Sequence, residues 1–172
     1  MGNRIMLHRD HDNFEEHLKM SNGLTSVFIA VLVLSGSTLA QNKAEKEWMS
    51  WLASRDQGIH GRGAVGFCIS DMPWTREGFV DEKDFVLRVI DGAREKLRWD
   101  VLNYNPTEEF VTFALDRFQN LINLFDEQYI NEEAYQEWQS YLKKYGFSEN
   151  PPMCQHHAVY LHPAGCVLCH DS

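Results

Sequence analysis

The strongest constraint on the fold is a series of three segments in which apolar residues recur every three or four positions. They extend from Asp81 to Leu97, from Pro106 to Phe125 and from Asn131 to Tyr145. Such spacing places the apolar side chains on one face of an α-helix, and that face must pack against another element. Gly146, after the last segment, is typical of a left-handed helix cap. The sequence predicts a mainly α fold, a helical bundle with at most a short strand or hairpin.

An apolar segment from Leu24 to Ala40 precedes these helices. In residues 24–34 apolar side chains occupy every face, so periodicity leaves helix and strand open, although the flanking helices favour a buried helix. The segment resembles a secretory leader in length, but the residues before it are not basic, and it is short for a membrane span. We expect Ser35–Ser37 to turn the chain and a further helix to extend to about Arg55.

Two segments of the body are less regular. Asp10–Met20 has apolar residues at helical spacing and predicts a short N-terminal helix, whereas His8 and His11 are expected to be solvated. The stretch Asp56–Arg76 is rich in glycine. It predicts a loop, one short strand within Ala64–Ile69 and a turn.

Composition narrows the class of protein. The chain has 172 residues, 44% of them hydrophobic, which is enough for one packed domain. Its net charge of −9 disfavours attachment to nucleic acid or to anionic membranes. Cys68 lies alone in an apolar run, and the other cysteines are clustered and not dispersed as in a disulfide framework. We expect a cytoplasmic protein that binds neither nucleic acid nor membrane.

The last twenty residues, Met153–Ser172, hold three of the four cysteines and four of the eight histidines. They form two pairs of soft ligands, each pair with two residues between its members: Cys154 with His157, and Cys166 with Cys169. Zinc binds thiolate and imidazole groups, and this spacing lets neighbouring ligands converge on one tetrahedral ion. A site whose four positions are all filled by protein ligands is structural. The tail is therefore predicted to bind a structural zinc ion.

Alternatives to this ligand set remain open. His156, His162 or His170 can replace His157 as the fourth ligand. Residues 166–170 also read C-x-x-C-H, the pattern of covalent haem attachment. Haem would leave Cys154 and the histidine near it without a role, and the pattern lies two residues from the end of the sequence. We favour zinc.

Residues 154–169 resemble small zinc-ribbon or treble-clef knuckles that end in Gly-Cys-x-x-Cys, here residues 165–169. The resemblance implies a small zinc module and no single function. We expect a helical body over residues 1–147, a linker over 148–152 and a zinc-binding tail over 153–172. Residues 153–172 contain no Lys or Arg, so nucleic-acid binding through the tail is not expected.

Acidic residues are abundant on the predicted helices between Thr107 and Glu149. In its size, its acidity and its lack of catalytic motifs, the body is similar in general character to bacterial immunity proteins that neutralise toxin domains. The resemblance implies a non-catalytic inhibitory protein that offers an acidic surface to a basic protein partner. Solvated helix faces explain the same charges without a partner. The residues expected to form the partner surface are Asp126, Glu127, Glu132, Glu133 and Glu137.

Two other functions remain open. One is a regulatory adaptor whose zinc knuckle is itself the protein-binding site. The other is a small enzyme that uses the glycine-rich loop, with His60 as a base, Arg62 as an anion-binding group and Asp71 nearby in sequence. We favour a solvated surface loop as the explanation of these residues, so no catalytic residue is assigned.

Overall fold

The computed structural model describes residues 3–11, 13, 15–56 and 64–169, which form a helical bundle with a small three-stranded sheet. The mainly α fold predicted from the sequence is confirmed, and the three amphipathic segments are helices. The strands are β1 (Arg4–Met6), β2 (Leu18–Lys19) and β3 (Phe67–Cys68), and the helices are α1 (Asn22–Leu39), α2 (Lys43–Ala53), α3 (Phe79–Arg94), α4 (Glu108–Leu124) and α5 (Glu132–Lys144).

Helix α1 lies at the centre of the bundle and packs against α2, α3 and α4. Residues 28–37 are buried without interruption, so neighbours cover every face of this part of the helix. Complete burial explains why the apolar residues show no amphipathic period. By length and composition alone α1 could also cross a membrane, and 61% of it is buried inside the fold.

The turn predicted at Ser35–Ser37 is wrong, because these residues continue α1. Gly36 faces Met49 of α2, and a Cβ atom at position 36 would overlap the Met49 sulfur. The Ser35 hydroxyl donates a hydrogen bond to the carbonyl of Val89 in α3, at 2.8 Å. Small residues here allow neighbouring helices to approach α1 closely. The chain leaves the helix at Ala40, which has an extended backbone.

The predicted N-terminal helix is also wrong. Leu18–Lys19 instead form β2, which pairs antiparallel with β1. On its other edge β1 pairs in parallel with β3, which confirms the short strand expected within Ala64–Ile69. The sheet has the order β2-β1-β3 and places Ile5 and Leu18 in the core.

His11 was expected to be solvated, and this prediction is wrong because the side chain is buried. Its ring packs against that of His17, with 4.7 Å between ring centroids. The Nε2 atom of His17 lies 3.0 Å from the carbonyl oxygen of His11. Burial lowers the pKa of His17, which favours the neutral imidazole in the folded protein.

The C-terminal tail is packed against the helical body. Val159, Val167 and Leu168 are almost inaccessible to solvent and belong to the same core cluster as the helices. The Ser50 hydroxyl of α2 donates to the carbonyl of Leu161 at 2.7 Å. Arg98, after α3, donates to two carbonyls of the tail, those of His157 and Ala158. The tail thus shares the core of the body, while the linker boundary at 148–152 stays a prediction.

Candidate metal centre

Two tight turns present the ligand pairs of the tail. In the first, the Cys154 N–H donates to the Val159 carbonyl at 2.8 Å, and the Ala158 N–H donates back to the Cys154 carbonyl at 2.8 Å. In the second, His162 and Gly165 exchange two backbone hydrogen bonds, and Gly165 has φ +131°, a conformation that favours glycine. The second turn leads directly into Cys166.

The four predicted ligands converge on one point. The Sγ atoms of Cys154, Cys166 and Cys169 and the Nδ1 atom of His157 all lie within 4.8 Å of one another. Nδ1 lies 3.7 Å from the sulfurs of Cys154 and Cys166 and 3.5 Å from that of Cys169. The sulfurs of Cys154 and Cys169 are 3.6 Å apart.

These separations match the edges of a tetrahedral metal site. Zinc, with bonds of about 2.3 Å to sulfur and about 2.0 Å to nitrogen, requires sulfur–sulfur edges of roughly 3.8 Å and sulfur–nitrogen edges of roughly 3.5 Å. A disulfide would instead bring two sulfurs to about 2.05 Å, and none of the four cysteines forms a disulfide within the described residues. The four residues can therefore hold a metal ion such as zinc.

The protonation of the thiols also fits a cation. Burial raises the pKa of Cys154, but N–H groups of His157 and His156 outweigh it and bring the pKa down to about 6. Burial raises the pKa of Cys166 to about 12. The protein alone thus favours one thiolate beside neutral thiols. A divalent ion would favour the thiolate form of all three cysteines. The Leu168 N–H, 3.4 Å from the Cys166 sulfur, also favours the thiolate form of Cys166.

The structure distinguishes among the candidate histidines. His157 supplies the atom that meets all three sulfurs. His156 is exposed, with its ring centroid 6.5 Å from that of His157. His162 is buried, and its Nδ1 accepts a hydrogen bond from the Ala164 N–H at 3.2 Å. His170 lies outside the described residues, so the haem pattern that it completes is not described either.

The five acidic residues predicted to bind a partner are all exposed, but their surroundings differ. Glu132 forms an ion pair with Arg76 at 2.7 Å. The Asp126 carboxylate accepts a hydrogen bond from the Gln128 N–H at 2.9 Å, and Glu127 begins the short 3-10 turn that follows. Glu133 and Glu137 lie one turn apart on α5 and line a cleft.

Sequence reasoning missed this cleft, which has a volume of about 740 Å³. Its walls come from the end of α2, from α5 and from the C-terminal tail, which are separate segments of the sequence. Asp71 lines it and accepts a hydrogen bond from the Asn131 side chain at 2.8 Å. The loop residues His60 and Arg62 lie outside the described residues. No local spacing marks such a cleft, because tertiary packing alone assembles its wall.

Comparisons of the chain with models of protein families, with curated proteins and with solved structures find no match. The fold and the site define a small, mainly helical protein with a Cys3His cluster that can bind a metal. The likeness of the body to toxin-immunity proteins stays a prediction.

Proposed function

We propose that this chain is a non-catalytic, cytoplasmic binding protein that inhibits or sequesters a basic protein partner through the acidic surface of α5. The observation that carries the proposal is the placement of Glu133 and Glu137, exposed on one face of the helix at the margin of the cleft. Neither belongs to an ion pair within the described part of the chain, whereas Arg76 already neutralises Glu132. Their negative charge is available to a partner.

Under this proposal the tail binds one structural zinc ion. Four protein ligands fill the tetrahedron, and two of them, Cys154 and Cys166, are buried, which leaves no open position for a substrate. Convergence of both C-x-x-C sulfurs on the imidazole of His157 supports zinc over haem. Val159, Val167 and Leu168 of the tail pack in the core of the body, which supports a structural role over an adaptor surface. The tail also supplies His162 and Ala164 to the wall of the cleft.

The partner surface can be tested by charge reversal. A partner isolated by co-purification from the native host is titrated with the Glu133→Lys/Glu137→Lys variant. We expect affinity to fall about tenfold or more at low ionic strength, with a smaller loss at high salt, because exposed charges are screened. The Glu95→Lys/Glu149→Lys variant has the same net charge and alters exposed positions outside the cleft.

An equal loss of affinity in both variants would show that the loss comes from the change in net charge, and it would contradict a specific binding surface on α5. Unchanged affinity in the Glu133→Lys/Glu137→Lys variant would contradict the assignment of that surface directly.

A further inference from the structure

The cleft contains an arginine with a buried N–H group that has no hydrogen-bond acceptor. Arg55 follows the end of α2 and lines the cleft, with its guanidinium carbon 4.9 Å from the ring centroid of Trp51. Its Nε atom is buried without a hydrogen-bond acceptor. None of the ion pairs in the described ranges includes Arg55. Burial lowers the pKa of Arg55, but a guanidinium stays charged at neutral pH. The negative charge of Asp71 acts on Arg55 in the opposite direction, but it leaves the buried Nε–H group without an acceptor. Such a group costs free energy, which an oxygen atom of a ligand would offset.

A second buried donor lines the same cleft. The Nε1–H group of Trp138, on α5, also has no acceptor among the described residues. Buried N–H groups are nearly always hydrogen-bonded, and each one left without an acceptor costs free energy. Both donors lack the same kind of group, an oxygen acceptor, and one of them is cationic. A carboxylate or another oxyanion would satisfy them.

The other charges of the cleft select among oxyanions. Two arginines, Arg9 and Arg55, face four acidic residues, Asp56, Asp71, Glu133 and Glu137. This excess of negative charge disfavours a phosphate dianion and favours a single carboxylate on a molecule that also carries a cationic amine. The aromatic rings of Trp51, Trp138 and Tyr141 offer apolar surface to the part between these groups. The volume of about 740 Å³ lies in the range of small-ligand sites.

We propose that the cleft binds an amino-carboxylate ligand, a free basic amino acid or the carboxyl end of a peptide that terminates in one. Its carboxylate binds Arg55 and the Trp138 N–H, and its amine faces Glu133 and Glu137. This inference goes beyond the proposed function, because it assigns a carboxylate-binding site inside the cleft that an acidic surface does not require.

The ligand class is tested on the full-length, zinc-loaded protein with four probes. These are L-lysine, the dipeptide Gly-Lys, its C-terminal amide and inorganic phosphate, each titrated while tryptophan fluorescence is followed, because Trp51 and Trp138 line the cleft. We expect L-lysine or Gly-Lys to bind and the amide to bind about tenfold more weakly or worse, because it lacks the charged acceptor. Preference for L-lysine identifies a free amino acid, and preference for Gly-Lys identifies a chain end.

Two substitutions separate a ligand-binding arginine from a structural one. Arg55→Met should weaken binding of the preferred probe about tenfold or more and leave the melting temperature unchanged or raised, because it removes a buried N–H group that has no acceptor. Arg55→Lys keeps the charge but loses the planar fork, and should bind weakly. Arg88→Met, outside the cleft, should bind normally. The Arg55 variants leave Glu133 and Glu137 intact, so partner association is scored separately.

Four results would overturn the inference. The first is saturation by phosphate with no response to L-lysine or Gly-Lys. The second is equal affinity for Gly-Lys and its amide. The third is an Arg55→Met variant that melts several degrees lower yet binds the probe normally. A lack of response to all four probes up to about 10 mM would equally contradict it, since that concentration exceeds the dissociation constant expected for a small-molecule site.

Discussion

At position 36 the absence of a side chain sets how closely α1 and α2 approach. A Cβ atom there would overlap the sulfur of the fully buried Met49, and a packed core has little room to yield. We expect Gly36→Ala to lower the free energy of unfolding by about 1–3 kcal/mol, measured by urea denaturation. Gly23→Ala in the same helix is the control. Its Cβ meets nothing within 4 Å, and it should be neutral or stabilise by about 0.5–1 kcal/mol.

The double variant Gly36→Ala/Met49→Ala should lose less unfolding free energy than the sum of the losses in the two single variants. The reason is that Met49→Ala removes the atoms that a Cβ at position 36 would overlap. Additive losses in the double variant would show that the destabilisation has another origin than this contact.

Individual residues differ in how far the sequence reveals their role. The spacing of Cys166 and Cys169 predicts shared metal ligation because two residues of chain hold both sulfurs close together whatever the rest of the fold does. The role of Gly36 depends on Met49 in the next helix, so the same glycine was predicted to form a turn. Arg55 is informative only because the fold leaves its Nε atom buried without an acceptor. Its sequence neighbours give no sign of this.

Among the elements, we expect the tail to depend most on a bound metal ion. We expect the native protein to contain about one zinc per chain by elemental analysis, and Cys166→Ser to lose it because only three ligands remain. Cys68→Ser is the matched control, since Cys68 lies in β3 and is not part of the ligand cluster. Zinc retained fully by Cys166→Ser, or lost equally from Cys68→Ser, would contradict the predicted ligand set.

Zinc removal should also have a local structural signature. Chelation is expected to increase hydrogen exchange over residues 153–169 more than in α3, whose main helix contacts are with α1 and α4.

The elements themselves were predictable to different degrees. The helices α3, α4 and α5 each have one apolar face. The sequence therefore shows the helical period of their apolar residues, whatever these helices pack against. Helix α1 is covered on all sides, so periodicity could not separate helix from strand. Strand β2 has two residues and exists because β1 pairs with it. Such a strand depends on contacts distant in sequence, and the local pattern of Asp10–Met20 predicted a helix instead.

At the scale of the whole molecule, the metal centre and the cleft belong to one packed assembly. The turn between the two ligand pairs carries His162 and Ala164, which form part of the cleft wall together with residues of α5. The amide of Tyr160 donates to the hydroxyl of Ser37 in α1, at 3.1 Å, within the core. A metal ion that holds the tail in its folded conformation would thus also hold one wall of the cleft in place. Metal binding in the tail would then support ligand binding in the cleft.

Shared packing has a measurable consequence for unfolding. Val159 of the tail is fully buried in the same core cluster as the helices. We therefore expect the zinc-loaded protein to melt in one transition, with coincident tryptophan fluorescence and far-ultraviolet circular dichroism, and at a temperature that rises with zinc concentration. Val159→Ala should lower the melting temperature of that single transition and reduce the free energy of unfolding by about 1–3 kcal/mol. A separate early transition of the tail, with the helices melting unchanged, would instead support an independent zinc module joined by a linker at 148–152.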